Sequence, residues 1–534
     1  MQKLPRHSGR VYALNAYLFS LLLVAVVFST GALAVTHTEE PNEGPAQQLT
    51  ISQDADLPLN PLAVTIAGND IYFLDVTKLW CVPDGMAKLE NGEPLQAIPC
   101  GPEKPAISKI PVQEFSNFVY STDRHAIEVL DKTGDIFEYI PATKQWHVLR
   151  TNSPVGSPDP EYIDLTSAGN NVYLLDPERN QIWRYPAVDA RFFKEVLPWR
   201  VTPADIFVGD ALSIAYDGAT WVLRKNGVIA KFTAPVDAGL AVQVPFRWQL
   251  VKKIRPSRLL TAAGTPLYVV ERENNRVIAV DKKSGNARQF LFAANSDLRG
   301  LIPLKEGFWT INRDKLEYRA LSSADIGKSW PTGRRIDPRL SGLTMPIRGA
   351  SLPRHPGVWP GARRMYRFGV HKGTDYFNDP IARTFVDMGT PVYAADAGKI
   401  TRADANFIDM SATRYGSVIY QCHHQHITSE PSEDLLRGCQ VWMDHGDGLI
   451  TKYAHLDKIK PGLKVGTKVN RGDLIGYVGI SGTGENLPGR IKHPHLHFEV
   501  WLDGKYVGWG LTPPETIGLY EDIFGIASKR GAHD

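Results

Sequence analysis

His493-Pro494-His495-Leu496-His497-Phe498-Glu499-Val500 reads as a β-strand. The residues between its imidazoles favour extended structure, and in a strand alternate side chains share a face. His495 and His497 therefore project to one side, and Leu496 and Phe498 to the other, the side of a core. His493 has the same parity, so it stands as an alternative to His495, although Pro494 interrupts the alternation between them.

Two other segments carry related chemistry. Ile450-Thr451-Lys452-Tyr453-Ala454-His455-Leu456 also reads as a strand, with Thr451, Tyr453 and His455 on one face. His371-Lys372-Gly373-Thr374-Asp375 sets an imidazole and a carboxylate four apart. Gly373 and Thr374 argue against a helix there, so a strand-to-loop junction is expected, with both side chains turned to one point. Neutral imidazole and carboxylate are ordinary zinc ligands, and three protein ligands plus water make a catalytic site where four close a structural one. Two His and one Asp leave a formal charge of about +1, which favours ionising a bound water. Further imidazoles nearby serve proton transfer and oxyanion stabilisation.

Taken in order, these segments resemble the lysostaphin/LytM-type zinc metalloendopeptidases (metallopeptidase family twenty-three). That signature is His-x-x-x-Asp, then Tyr-x-His, then His-x-His before Phe. Surrounding words agree: Gly389-Thr390-Pro391-Val392-Tyr393-Ala394-Ala395, Asp444-His445-Gly446-Asp447-Gly448 and Gly472-Asp473-Leu474-Ile475-Gly476. The match runs roughly over residues 345–512. The resemblance implies Zn2+ held by His371, Asp375 and His497, with His455 and His495 as catalytic histidines and His493 a bystander. It also implies a compact antiparallel β-sheet domain, a site in a groove, and endopeptidase cleavage of peptides in bacterial peptidoglycan. All five positions are filled, unlike those of degenerate relatives that only activate other hydrolases. Three segments are longer than the pattern needs: between Asp375 and Gly389, between Gly482 and His493, and roughly 403–440. Such segments are expected as loops that set substrate choice. His423, His424 and His426 lie in the last of them and are expected to be solvent-exposed, not ligands.

The N-terminus places the chain. Lys3, Arg6 and Arg10 precede an apolar run over 18–28, and Thr30-Gly31-Ala32-Leu33-Ala34 follows. This is the pattern of a secretory signal cleaved after Ala34. The alternative is an uncleaved anchor, since residues 11–35 are long enough to span a bilayer. Either way the chain is expected outside the cytoplasm, periplasmic or extracellular and associated with the cell envelope. Cys81 with Cys100, and Cys422 with Cys439, would each close a loop of under 20 residues as a disulfide, worth about 3 kcal/mol in the chain-entropy model. A net charge of +3 over 534 residues gives no case for nucleic acid. A membrane contact is expected only if the N-terminal segment is retained.

Between residues 55 and 325 one pattern recurs: Ile71-Tyr72-Phe73-Leu74-Asp75, Glu128-Val129-Leu130-Asp131, Val172-Tyr173-Leu174-Leu175-Asp176, Thr220-Trp221-Val222-Leu223, Leu267-Tyr268-Val269-Val270 and Phe308-Trp309-Thr310-Ile311. Short strands repeating at about 45 residues point to propeller blades. The recurring aspartates are expected in turns. The fold class is therefore all-β: a six-bladed β-propeller-like domain over 50–325 and an antiparallel β-sheet peptidase domain over 348–516. Residues 1–34 form the signal or anchor, 326–347 a Pro/Gly/Arg-rich linker and 517–534 a tail. The arginines from 334 to 367 are expected on a solvated surface. The propeller is expected to bind a protein or wall partner or to orient the enzyme. A non-catalytic wall-binding scaffold and an exported protease acting on proteins are the alternative functions.

Overall fold

In this computed structural model the six repeats each form the second strand of an antiparallel blade: Asp70–Leu74, Ala126–Asp131, Asn171–Asp176, Thr220–Arg224, Leu267–Glu271 and Gly307–Asn312. The structure describes residues 48–53, 61–103, 106–107, 109–149, 162–189, 192–193, 197–198, 208–233, 242–244, 246–248, 254–293, 296–312, 315–324 and 336–526. The signal or anchor expected over 1–34 lies outside these. Among them, no helix is long and apolar enough to cross a membrane.

Alternation along the repeats explains the ring. Tyr268 and Val270 pack toward the Phe308 blade, whereas Leu267 and Val269 pack toward Trp221. Both faces of each blade are buried, so the strands are apolar throughout. A separate hydrophobic cluster fills each seam between neighbouring blades. The innermost strands adjoin around the ring, and Gln48–Gln53 pairs antiparallel with Lys315–Ala320 to complete the last blade. The recurring aspartates do serve turns: Asp131 Oδ1 accepts from the Thr133 and Asp135 amides, and Asp176 Oδ1 from Arg179.

The cysteines depart from expectation, for all four are free thiols. Cys81 and Cys100 are hydrogen-bonded neighbours on adjacent strands. Cys439 donates to the Asp404 carbonyl, while Cys422 packs with Val418 and Leu436.

In the C-terminal domain Thr374–Phe377, His495–Leu502, Leu449–Ala454, Val441–Gly446, Gly398–Ala403 and Lys468–Val469 form one sheet in that order. A second sheet runs Pro391–Tyr393, Leu474–Val478, Leu456–Ile459. Leu496, Phe498, Tyr453 and Met443 from the first meet Val392, Ile475 and Val478 from the second in one core. Two expectations are corrected here. Leu340, Leu343 and Ile347 are buried in this core, so the described part of the 326–347 stretch is not a free linker. Residues 517–526 are not a loose tail, because Tyr520 and Ile523, on the helix Pro513–Ile523, are buried in it too.

The 403–440 segment is not mainly loop. It forms the helices Ala412–Gln425 and Glu430–Arg437. Tyr415, Val418, Ile419 and Cys422 recur at helical spacing and turn inward together against Leu435 and Leu436.

Propeller and C-terminal domain share a polar seam. Tyr506 donates to Glu114 Oε2 at 2.6 Å, Arg272 pairs with Glu515 at 2.8 Å, and Lys132 donates to the Leu511 carbonyl at 2.9 Å.

Candidate active site

Strand register assembles the site. Asp375 stands opposite His497 and Phe377 opposite His495. Opposed residues in a sheet share a face, so Asp375 and His497 emerge together while the His495 ring stacks on Phe377 at 4.2 Å. Gly373 permits this approach, since a Cβ there would lie 2.7 Å from the Phe498 oxygen and 2.8 Å from the His497 ring. His371 enters from the loop before the strand, held by main-chain bonds between its N–H and the Ala362 oxygen and from Gly361 to its own oxygen, each 2.7 Å.

His455 arrives differently from the sequence expectation. The strand ends at Ala454, and His455 lies beyond it at φ 59°, off the face of Thr451 and Tyr453. A β-carbon residue in that left-handed region costs about 1–3 kcal/mol and is kept where its surroundings over-determine it. Here its N–H donates to the Arg437 carbonyl and its ring Nδ1 to the Ser481 carbonyl, both at 2.9 Å.

Three ligand-type atoms converge. His371 Nε2, Asp375 Oδ1 and His497 Nδ1 lie 2.8–2.9 Å from one another, all on buried residues. Neighbours fix the imidazole tautomers. His371 Nδ1 faces the Trp359 carbonyl at 3.2 Å, so it carries the proton and leaves Nε2 bare. His497 Nε2 donates to Glu499 Oε1 at 3.0 Å, which leaves Nδ1 bare. Three lone pairs that face one another repel unless a cation sits among them. Two imidazoles and one carboxylate are a zinc donor set, so the residues present fit that ion. Burial, then the Arg364 charge, pulls His371 down to about 3. Asp375 is held well below the carboxylate range; burial opposes this, but His371 and His497 outweigh it. Burial also opposes a proton on His497, yet its bonds to Asp375 and Glu499 raise it. A proton on His497 is thus the rival cation, and metal binding releases it.

His455 and His495 complete the cluster, their rings 4.8 Å apart, with His455 5.5 Å from His497. His495 Nδ1 donates to the His493 carbonyl at 2.9 Å. Both rings therefore present a bare Nε2. Burial keeps both below the ordinary histidine value, His455 well below it, so both are neutral bases at pH 7. All five residues line a groove of about 990 Å³. Helix residues Tyr415 and Arg437 and the 482–493 segment line it as well. Of the segment after Asp375, only Phe377 does.

Other histidines named from the sequence lie outside the five-residue cluster. His493 is exposed and bonded to Glu485. His423 meets the Tyr366 carbonyl, and the His424 ring stacks on Tyr420. Four neighbours of the site escaped sequence reading. Glu499 had a signal, being next in the alternation after His495 and His497. Arg364, whose Nη2 reaches Asp375 Oδ2 at 3.2 Å, and Arg367, buried beside Glu433, belong to the run expected on a solvated surface. Arg437, whose Nε donates to Glu499 Oε1 at 2.8 Å, lies 62 positions away with no local motif.

Comparison with known proteins bears on the domain that carries this site. Residues 369–509 match the sequence model described as Peptidase family M23, so the C-terminal domain is one of that kind. The chain is 25% identical over 236 residues to peptidoglycan DD-endopeptidase ShyA of Vibrio cholerae, covering 44% of this chain and 40% of the relative. It is 28% identical over 135 residues to peptidoglycan DD-endopeptidase ShyC of the same organism, covering 25% of this chain and 21% of the relative. The chain thus spans well under half the length of either. Virginiamycin B lyase from Staphylococcus aureus is similar at 12% identity and a TM-score of 0.35, covering 52% of this chain and 99% of that one; so low a score carries no further argument.

Proposed function

We propose that this chain is an exported zinc metalloendopeptidase that hydrolyses peptide bonds of peptidoglycan, with His371, Asp375 and His497 as metal ligands and His455 and His495 as catalytic residues. The observation that carries the reading is the convergence of three lone pairs beside two neutral imidazoles on an open groove. A bound zinc ion supplies Lewis-acid polarisation of the scissile carbonyl and lowers the pKa of a water to about 7. His455 and His495 offer Nε2 to the proton of the attacking water. The ring that takes it becomes a donor to the developing oxyanion and returns the proton to the leaving amine. The buried Asp375 keeps its charge throughout because Arg364 and two imidazoles surround it.

The two peptidoglycan DD-endopeptidases among its relatives support the substrate class, and a wall substrate favours the periplasmic or cell-surface location that the N-terminal pattern suggests. On this reading residues 348–516 hold the enzyme and 50–325 a propeller that orients it or binds a partner. Purified peptidoglycan incubated with the zinc-loaded chain, with new peptide ends mapped by mass spectrometry, tests it. New ends that vanish in His371→Ala are expected. Zinc-loaded protein that releases none, or that cuts only unrelated proteins, overturns the murein reading.

A further inference from the structure

Arg437 ends the helix Glu430–Arg437, in a segment that the strand pattern does not require. Its side chain is only 3% exposed and Glu499 only 1%. Arg437 Nε donates to Glu499 Oε1 at 2.8 Å, and that same oxygen accepts from His497 Nε2 at 3.0 Å. Trp501 Nε1 donates to the other oxygen at 2.5 Å, so the carboxylate is clamped on both sides. The Arg437 carbonyl meanwhile accepts the His455 N–H at 2.9 Å, at the point where that residue adopts its left-handed conformation. The two residues after it continue the support. A Cβ on Gly438 would lie 2.3 Å from the Ser481 oxygen, and Cys439 N–H donates to Ser481 Oγ at 2.9 Å. Ser481 is the residue whose carbonyl fixes the His455 ring.

We propose that Arg437 is a positioning residue for both halves of the site. Its side chain aims Glu499 at His497, and its main chain holds His455 in place. A carboxylate that takes the outer N–H of a ligating histidine fixes the ring and raises its basicity, and loss of such a partner typically weakens metal binding 10–100-fold. The helical insertion is thereby a brace of the metal site as well as a wall of the groove. The inference rests on the zinc reading above.

The test measures zinc affinity of the full chain by competition with a chromophoric chelator, together with the visible spectrum of the cobalt-substituted form. Arg437→Met is expected to bind zinc roughly 10–100-fold more weakly and to shift the cobalt bands, with Arg437→Lys intermediate. Glu499→Gln is expected to weaken zinc too, and Arg437→Lys added to it to cost little more, since both act on one bond chain. Arg402→Met is the control. Arg402 grips the same helix through Asp434 at 2.5 and 3.0 Å but touches no part of the site, so it should change zinc affinity less than about twofold, being outside the coupled network. Zinc affinity of Arg437→Met like wild type, or weakened equally in Arg402→Met, overturns the proposal. If Arg437→Met does not fold, Arg437→Lys binding as tightly as wild type does the same. Wild type without zinc, or zinc retained in His371→Ala, sinks the metal reading itself and this proposal with it. Zinc lost in His371→Ala but unchanged in Arg437→Met sinks only the role of Arg437.

Discussion

His495→Ala and His497→Ala should fail in opposite ways, although the two residues lie two positions apart on one strand. Truncating His497 removes one of the three converging atoms, so zinc should be lost and hydrolysis with it. Truncating His495 leaves His371 Nε2, Asp375 Oδ1 and His497 Nδ1 in place. That variant should keep about one zinc per chain, as a three-ligand site requires, while hydrolysis falls by roughly 10²–10⁴. Such a fall is about 3–5 kcal/mol on the barrier. The cost to stability is smaller. The His495 ring makes one hydrogen bond, to the His493 carbonyl, and stacks on Phe377, worth about 1 kcal/mol each. Because the ring borders an open groove, water enters the space it leaves, and the penalty stays near 2 kcal/mol, below the roughly 3–5 kcal/mol of an enclosed aromatic truncation. The fold therefore survives at assay temperature. Metal content after gel filtration and peptide release from peptidoglycan separate the two roles. Zinc lost in His495→Ala and retained in His497→Ala would reverse them, and activity within tenfold of wild type in His495→Ala would remove that residue from the chemistry.

Gly373→Ala should weaken zinc binding without altering any ligand, because its Cβ would press on the His497 ring and the Phe498 carbonyl; chelator competition giving wild-type affinity would contradict so close a contact. Glu128, buried in the second blade, is pushed up to about 8 by burial, with Arg124 opposing, from an ordinary 4.5. A carboxyl raised in the folded state stabilises fully below 4.5 and loses that contribution as pH rises toward 8, at up to about 1.4 kcal/mol per pH unit. Glu128→Gln should therefore flatten the fall in melting temperature between pH 5 and 8, leaving the part due to other carboxyls that burial raises, Asp131 (to about 7), Glu114, Asp164 and Asp176; identical slopes in variant and wild type would refute it.

What the sequence disclosed follows the range of the interactions involved. The blades were legible because each repeat is apolar on both faces, and that is a local property of strands such as Leu267–Glu271. The His-Asp-His cluster was legible because its segments, taken in order, resemble a known family pattern; the alternation of His493, His495 and His497 alone left their roles open. The brace of the cluster was not. Glu499 looks like any strand carboxylate until Arg437 is seen against it, and nothing local links the two. The arginines from 363 to 367 read as a charged surface run, yet Arg364 turns inward to Asp375 and Arg367 to Glu433, which lies far along the chain. The insertion was read as loop because it broke the β-pattern, although its own apolar spacing was helical. A broken period of two is not the absence of period, and Tyr415, Val418, Ile419 and Cys422 carry the other one.

The seam shows how the propeller contacts the hairpin beside the site without supplying a side chain to it. Arg363 and Arg364 are adjacent on a two-residue strand that pairs with Gly369–Val370, directly before His371. The Arg363 guanidinium lies over the Tyr162 ring of the propeller at 6.0 Å and close against Gly134. Its neighbour Arg364 reaches back to Asp375. One short hairpin therefore has one arginine on the propeller and the next on the His-Asp-His cluster. Glu114 and Tyr506 bond across the same seam, and both are buried there. Separating the domains would exchange this hydrogen bond for bonds to water, a net loss of about 0.5–1.5 kcal/mol. It would also free the hairpin that delivers His371. The propeller thus backs the hairpin that precedes His371, through contacts that the sequence repeats alone could not reveal.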